Sequence, residues 1–126
     1  MVQSDISQLS GECTGWRETL RNYREDFNQR KHRLQELAAR SLSKEDLQEV
    51  EHYHNQFHIQ LINIHDLKQA IKQHDRKVQT ELASPDGLVS DETITDHENL
   101  YDQYQHLDFT LQELQQEFDN FLNRSH

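Results

Sequence analysis

The sequence predicts an all-α protein, an elongated antiparallel (up-down-up) three-helix bundle with coiled-coil-like heptad packing. Three observations predict it. One heptad register of apolar residues runs through three separate segments, and two short stretches of turn and capping residues divide them. Only 3 glycines and 1 proline occur among 126 residues, so little else interrupts a helix. The expected helices cover about residues 4–40, 44–82 and 91–124, within one domain over residues 1–126. At ~1.5 Å per residue they make a rod about 50–58 Å long.

The first segment sets the register. Ile6, Cys13, Leu20, Phe27 and Leu34 recur at position a, and Leu9, Trp16, Tyr23, Arg30 and Leu37 at position d. A stripe of that period buries one edge of a helix against its neighbours. Gly11 and Gly15 conflict with it, because a glycine inside a helix costs about 1 kcal/mol relative to alanine. The favoured reading is a weakened or bent helix that begins properly near Trp16. The sharper one is that the glycine pair admits a close neighbour.

The second segment carries Leu47, His54, Leu61, Lys68, Asp75 and Leu82 at a, and Val50, Phe57, Ile64, Ile71 and Val78 at d. The third carries His97, Tyr104, Leu111 and Phe118 at a, and Leu100, Leu107, Leu114 and Phe121 at d. Ser43, followed by Glu45 and Asp46, is expected to cap the second helix. Pro85-Asp86-Gly87 is turn chemistry, and Ser90 with Asp91 and Glu92 caps the third helix. Connections this short imply antiparallel neighbours. With Trp16 in the first of three long antiparallel helices, the architecture is similar to a spectrin-type repeat in shape and period. That likeness covers no diagnostic motif and carries over no functional residue.

Charge is distributed unevenly. Only 33% of residues are apolar, against about 45–50% in an average globular chain, so narrow seams must carry the packing. The net charge of −10 opposes nucleic-acid phosphates and anionic lipid, so neither is an expected partner. Residues 1–41 hold seven Lys/Arg and six Asp/Glu, whereas residues 91–124 hold one arginine and nine Asp/Glu. Arg17, Arg24 and Lys31, at position e of the first helix, are expected to face position g of the parallel third helix, which includes Glu117. A polar N-terminus, the absence of a membrane-length apolar run and a single cysteine favour a cytoplasmic location.

Histidine is the first candidate for chemistry. There are nine, five of them in the second segment: His52, His54, His58, His65 and His74. His54 and His58 share a helix face, and Glu51 with His54 forms a Glu-x-x-His unit. No matching half is found on the third helix, so no metal and no cofactor are expected, and Cys13 reads as a small packing residue. The polar seam residues Arg30, His54, Lys68, Asp75 and His97 admit two readings, a buried acid–base site or control of register, and the second is favoured. No phosphate loop, paired-cysteine motif or nucleophile elbow is present.

The expected function is therefore a non-enzymatic interaction or scaffold bundle, with a small metal- or ligand-binding bundle using second-helix histidines as the alternative. A protein partner or self-association through a helical face is expected. Ile59, Ile62 and Phe109 fall at positions f, b and f, outside the seams, and mark a candidate surface across the second and third helices. His58, His65 and Asp108 are expected to border it.

Overall fold

The computed structural model describes residues 7–40 and 42–125. Three helices, α1 (Ser7–Ala38), α2 (Lys44–Leu82) and α3 (Asp91–Ser125), pack as a three-helix bundle, each against both others. The described residues are 90% helical, with no strand among them. Ile6 and the expected helix start at residue 4 lie outside the described residues.

Both connections follow from local chemistry. The hydroxyl of Ser43 accepts a hydrogen bond from the Asp46 backbone N–H at 3.1 Å, and Glu45 and Asp46 sit in the positive first turn of α2. Gly87 takes φ +63°, a conformation that suits glycine, and closes the turn with its N–H on the Ser84 carbonyl. Ser90 caps α3 by accepting from Thr93 N–H at 3.2 Å. Glu81 adds a clamp that the sequence did not suggest. One carboxylate oxygen accepts from Ser90 N–H at 2.8 Å and the other from the Thr93 hydroxyl at 2.7 Å, and these bonds hold its carboxyl below the usual range.

The seams of α1 and α3 are the expected ones. Cys13, Leu20, Phe27 and Leu34 are buried on α1, and Leu100, Leu107, Leu111, Leu114, Phe118 and Phe121 on α3. On α2 the structure corrects the heptad reading. Position d is buried throughout, but its companion is position g: Tyr53, Gln60, Leu67 and His74 are buried, while Leu47 and His54 at position a are exposed. Asp75 is the position-a residue that remains buried, at 6% exposure.

The flanks differ correspondingly. Arg17 faces α2, where it stands 3.9 Å from Asp75, rather than α3. The backbone carbonyl of Glu117 on α3 accepts from the Tyr53 hydroxyl of α2 at 3.2 Å, and the Glu117 charge helps to raise that hydroxyl above its ordinary value, after burial. The parallel α1–α3 contact uses the opposite flank of α1. There Tyr23 donates to Asp108 at 2.5 Å, Gln115 donates to Asp26 at 2.8 Å, and Arg30 bonds Asp26 and Asp119 together. The expected facing of Arg17 and Arg24 towards α3 thus had the wrong side, since both act on groups of α2, and the turn direction of the bundle, absent from any one helix, decides which flank meets which neighbour.

Gly11 and Gly15 neither break nor delay α1, which is helical from Ser7. A Cβ on either would meet nothing within 4 Å, so no close neighbour explains the pair.

Candidate metal centre at one end of the bundle

Near the α2–α3 turn the core becomes polar. Three helices each place one metal-ligating side chain at the same level: Cys13 from α1, His74 from α2 and His97 from α3. Position a of α1 and of α3 aims Cys13 and His97 inward, and position g of α2 aims His74 at them. Their ligand atoms lie within 4.8 Å of one another, and all three residues are buried, at 0%, 7% and 2% exposure respectively. His74 Nε2 is 3.0 Å from His97 Nδ1, and Cys13 Sγ is 3.9 Å from the same Nδ1.

The other ring nitrogen of His97 is committed elsewhere. Its Nε2–H donates to the Glu12 carboxylate at 2.7 Å, which leaves the Nδ1 lone pair directed at His74 and Cys13. A carboxylate behind an imidazole is how proteins orient a metal-ligating histidine and raise its basicity. The Trp16 ring packs on His97 with centroids 4.8 Å apart and fixes its plane. Trp16 in turn stacks on Tyr101 and Tyr104, each at 5.7 Å.

Burial favours the neutral forms of the Cys13 thiol and the His74 imidazole in the metal-free protein. Burial, then the charges of Asp75 and Glu12, push the Cys13 thiol up to about 12, so it is protonated and unreactive. Burial and His97 hold His74 below its ordinary value, against the opposing pull of Asp96 and Asp75. A metal that binds here must displace the thiol proton. Tetrahedral bonds to zinc separate two nitrogens by about 3.3 Å and a sulfur from a nitrogen by about 3.6 Å. The two distances to His97 are close to these values, and Cys13 and His74, within 4.8 Å of each other, would draw together as an ion binds.

Asp75 follows His74 on α2 and is buried as well. One carboxylate oxygen, Oδ2, accepts from Gln79 at 3.3 Å and faces Arg17 at 3.9 Å. The other, Oδ1, is buried without a hydrogen-bond partner, unlike any other buried side-chain nitrogen or oxygen among the described residues. A cleft of about 600 Å³ lies alongside, lined by Glu12, Trp16, His97, Glu98, Tyr101 and Asp102.

The residues singled out from sequence fall elsewhere. Glu51, His54 and His58 are exposed and form no converging set of three ligands among the described residues. Glu51 and His54 line a shallow groove between α1 and α2 with Leu34, Val50 and others. Ile59, Ile62 and Phe109 are exposed at 46%, 48% and 60%. Asp108 is turned to Tyr23 of α1 instead of to α2. His58 and His65 occupy the same heptad position as Glu51, on the flank towards α1. The structure therefore leaves the three apolar side chains open to solvent, with His58 and His65 one helical turn from Ile62 and Asp108 next to Phe109 in the chain.

The converging set was missed because Cys13 read as packing and His74 as surface. The available signal was the presence of Cys13, Asp75 and His97 at seam positions of three different helices, next to a second histidine at residue 74. No protein-family model matches the chain, and neither a curated protein nor a solved structure matches it.

Proposed function

We propose that this chain is a non-enzymatic metal-binding helical bundle that takes one zinc-class transition-metal ion on Cys13, His74 and His97. The observation that carries the reading is the convergence of three ligand atoms from three different helices within 4.8 Å. Mixed thiolate and imidazole donors suit zinc and its neighbours, and not magnesium or calcium, which take oxygen ligands. Because each ligand belongs to a different helix, a bound ion ties the three helices together at this end, and its binding free energy becomes folding free energy. We read the site as binding instead of catalytic because its ligands are buried. A cytoplasmic location belongs to the same reading, since a reducing compartment keeps Cys13 available as a ligand.

The test is a zinc titration of the full chain by calorimetry, with metal analysis after dialysis. One equivalent is expected to bind the wild type and raise its thermal midpoint. Cys13→Ser and His97→Ala are expected to lose at least tenfold in affinity, with circular dichroism showing that both fold. Equal binding by wild type and variants would sink the proposal.

A second reading, a protein contact through the outer face of the bundle, is favoured by the 60% exposure of Phe109 together with Ile59 and Ile62. Self-association is its simplest form.

A further inference from the structure

We propose that Asp75 supplies the fourth ligand, so that the ion is enclosed by Cys13, His74, His97 and Asp75 as a closed structural zinc site. This rests on the metal-binding reading above and names the complete donor set.

The converging atoms lie at the Nδ1 edge of His97, and the cleft lies on the Glu12 side, where Nε2 is bonded, so the imidazole ring stands between the two. A groove between α2 and α3 does reach His74, lined also by Lys77 and Asp96. The donor is identified by the chemistry inside the bundle.

Asp75 is the side chain there with an unused donor atom. It follows His74 on α2 and is 6% exposed, and its Oδ1 is buried without a partner. A buried carboxylate oxygen left unpaired is costly, and a cation is the partner that removes the cost. Asp75 follows the ligand His74 directly on α2, but its carboxylate is not among the atoms that converge within 4.8 Å, so the side chain must swing inward as the ion binds. Charge balance points the same way. Zinc with one thiolate and two neutral imidazoles would bury a net positive charge, and the Asp75 carboxylate neutralises it. Arg17, 3.9 Å from the other oxygen, remains on the outer side, 37% exposed. Glu12 keeps its separate task of holding the His97 ring.

Cobalt(II), which reports coordination number through its visible absorption, tests the inference in the full chain. The wild type is expected to show intense four-coordinate bands and a thiolate charge-transfer band, and neither should move on adding azide. Asp75→Ala is expected to bind cobalt 10- to 100-fold more weakly and to become azide-sensitive. Asp75→Asn keeps the shape should the alanine variant fail to fold, and it should behave in the same way. An azide-sensitive wild-type spectrum, or unchanged affinity and spectrum in a folded Asp75 variant, would overturn the fourth-ligand assignment while leaving the metal site intact. Absence of the charge-transfer band from the wild type would overturn both.

Discussion

The two ends of the bundle are built from different materials. At the end near the α1–α2 connection, Phe27, Phe57, Phe118 and Phe121 are buried to 1% exposure or less. Their rings interlock, with Phe57 edge-on to Phe118 at 4.9 Å and Tyr53 edge-on to Phe118 at 5.3 Å. At the other end, Cys13, His74, Asp75, Thr93 and His97 occupy core positions, and beyond them, among the described residues, a small apolar group of Leu9, Val78 and Val89 packs with Leu82 and Ile94. The same helices run through both ends, so helix propensity does not separate them. What separates them is the chemistry placed in the seam. The aromatic end contributes stability, and the polar end gives up stability for a set of converging donors.

The largest expected effect follows from that contrast. Phe57→Ala removes a side chain with 0% exposure from the aromatic end and should destabilise the protein by about 3–5 kcal/mol in urea unfolding. Replacing His74 and His97 together by leucine should cost less than about 1 kcal/mol in the metal-free protein, or stabilise it. Both partners of a buried polar contact leave together, and apolar volume replaces them. If the double leucine variant lost as much as Phe57→Ala, the division between the two ends would not hold.

A smaller effect tests why the polar end is weak. Gly11 and Gly15 flank Cys13 on the exposed side of α1, with open space around each. Changing both to alanine should stabilise the protein by about 1–2 kcal/mol in total. Amide exchange should slow at the start of α1 and stay unchanged around Phe27. No gain in stability would mean that the glycines do not limit this end.

The pH dependence of the metal-free protein is a finer probe of the same end. His74 sits below its ordinary value of 6.5, chiefly from burial and then His97, with Lys77 adding and Asp96 and Asp75 opposing. A depressed value means that the unfolded chain takes up this proton first. The His74 contribution is therefore fully present above pH 6.5 and is lost as pH falls through the lower folded value. Urea unfolding at pH 7.5 and 5.5 should show that loss, and His74→Leu should flatten it. An unchanged slope in the variant would assign the dependence to other groups.

Much of the fold was legible in the sequence, and one missing quantity hid the site. The caps at Ser43 and Ser90, the turn at Pro85–Gly87 and the seams of α1 and α3 are local or periodic features, so a single strand of text contains them. On α2 the choice between positions a and g was not local. Leu47, Leu61 and Leu82 make position a look more apolar than position g, which holds Gln60 and His74. Yet g is the buried flank, because the bundle turns so that α1 meets α2 across its position-e side, where Arg17 stands against Asp75. The same turn direction that misdirected Arg17 and Arg24 therefore left His74 on the surface of the inferred bundle. Cys13, Asp75 and His97 were each placed in the seam, but without His74 they did not form a donor set.

The smallest expected change in stability comes from the region between the two ends. Ile62 and Phe109 are 48% and 60% exposed at mid-length on α2 and α3 and contribute to neither core. Changing both to Asp should leave helicity intact and shift the unfolding free energy by no more than about 0.5 kcal/mol, as surface substitutions do. Zinc affinity should also be unaffected, since neither residue approaches Cys13, His74 or His97. The variant is thus a control for both ends and a direct test of the outer face. If that face joins copies of the chain, light scattering should show an oligomer for the wild type and a monomer for the variant, because two carboxylates would have to lose their hydration on association. A wild type that stays monomeric at high concentration would rule out self-association, and a variant that unfolds would mean that these positions carry core packing after all.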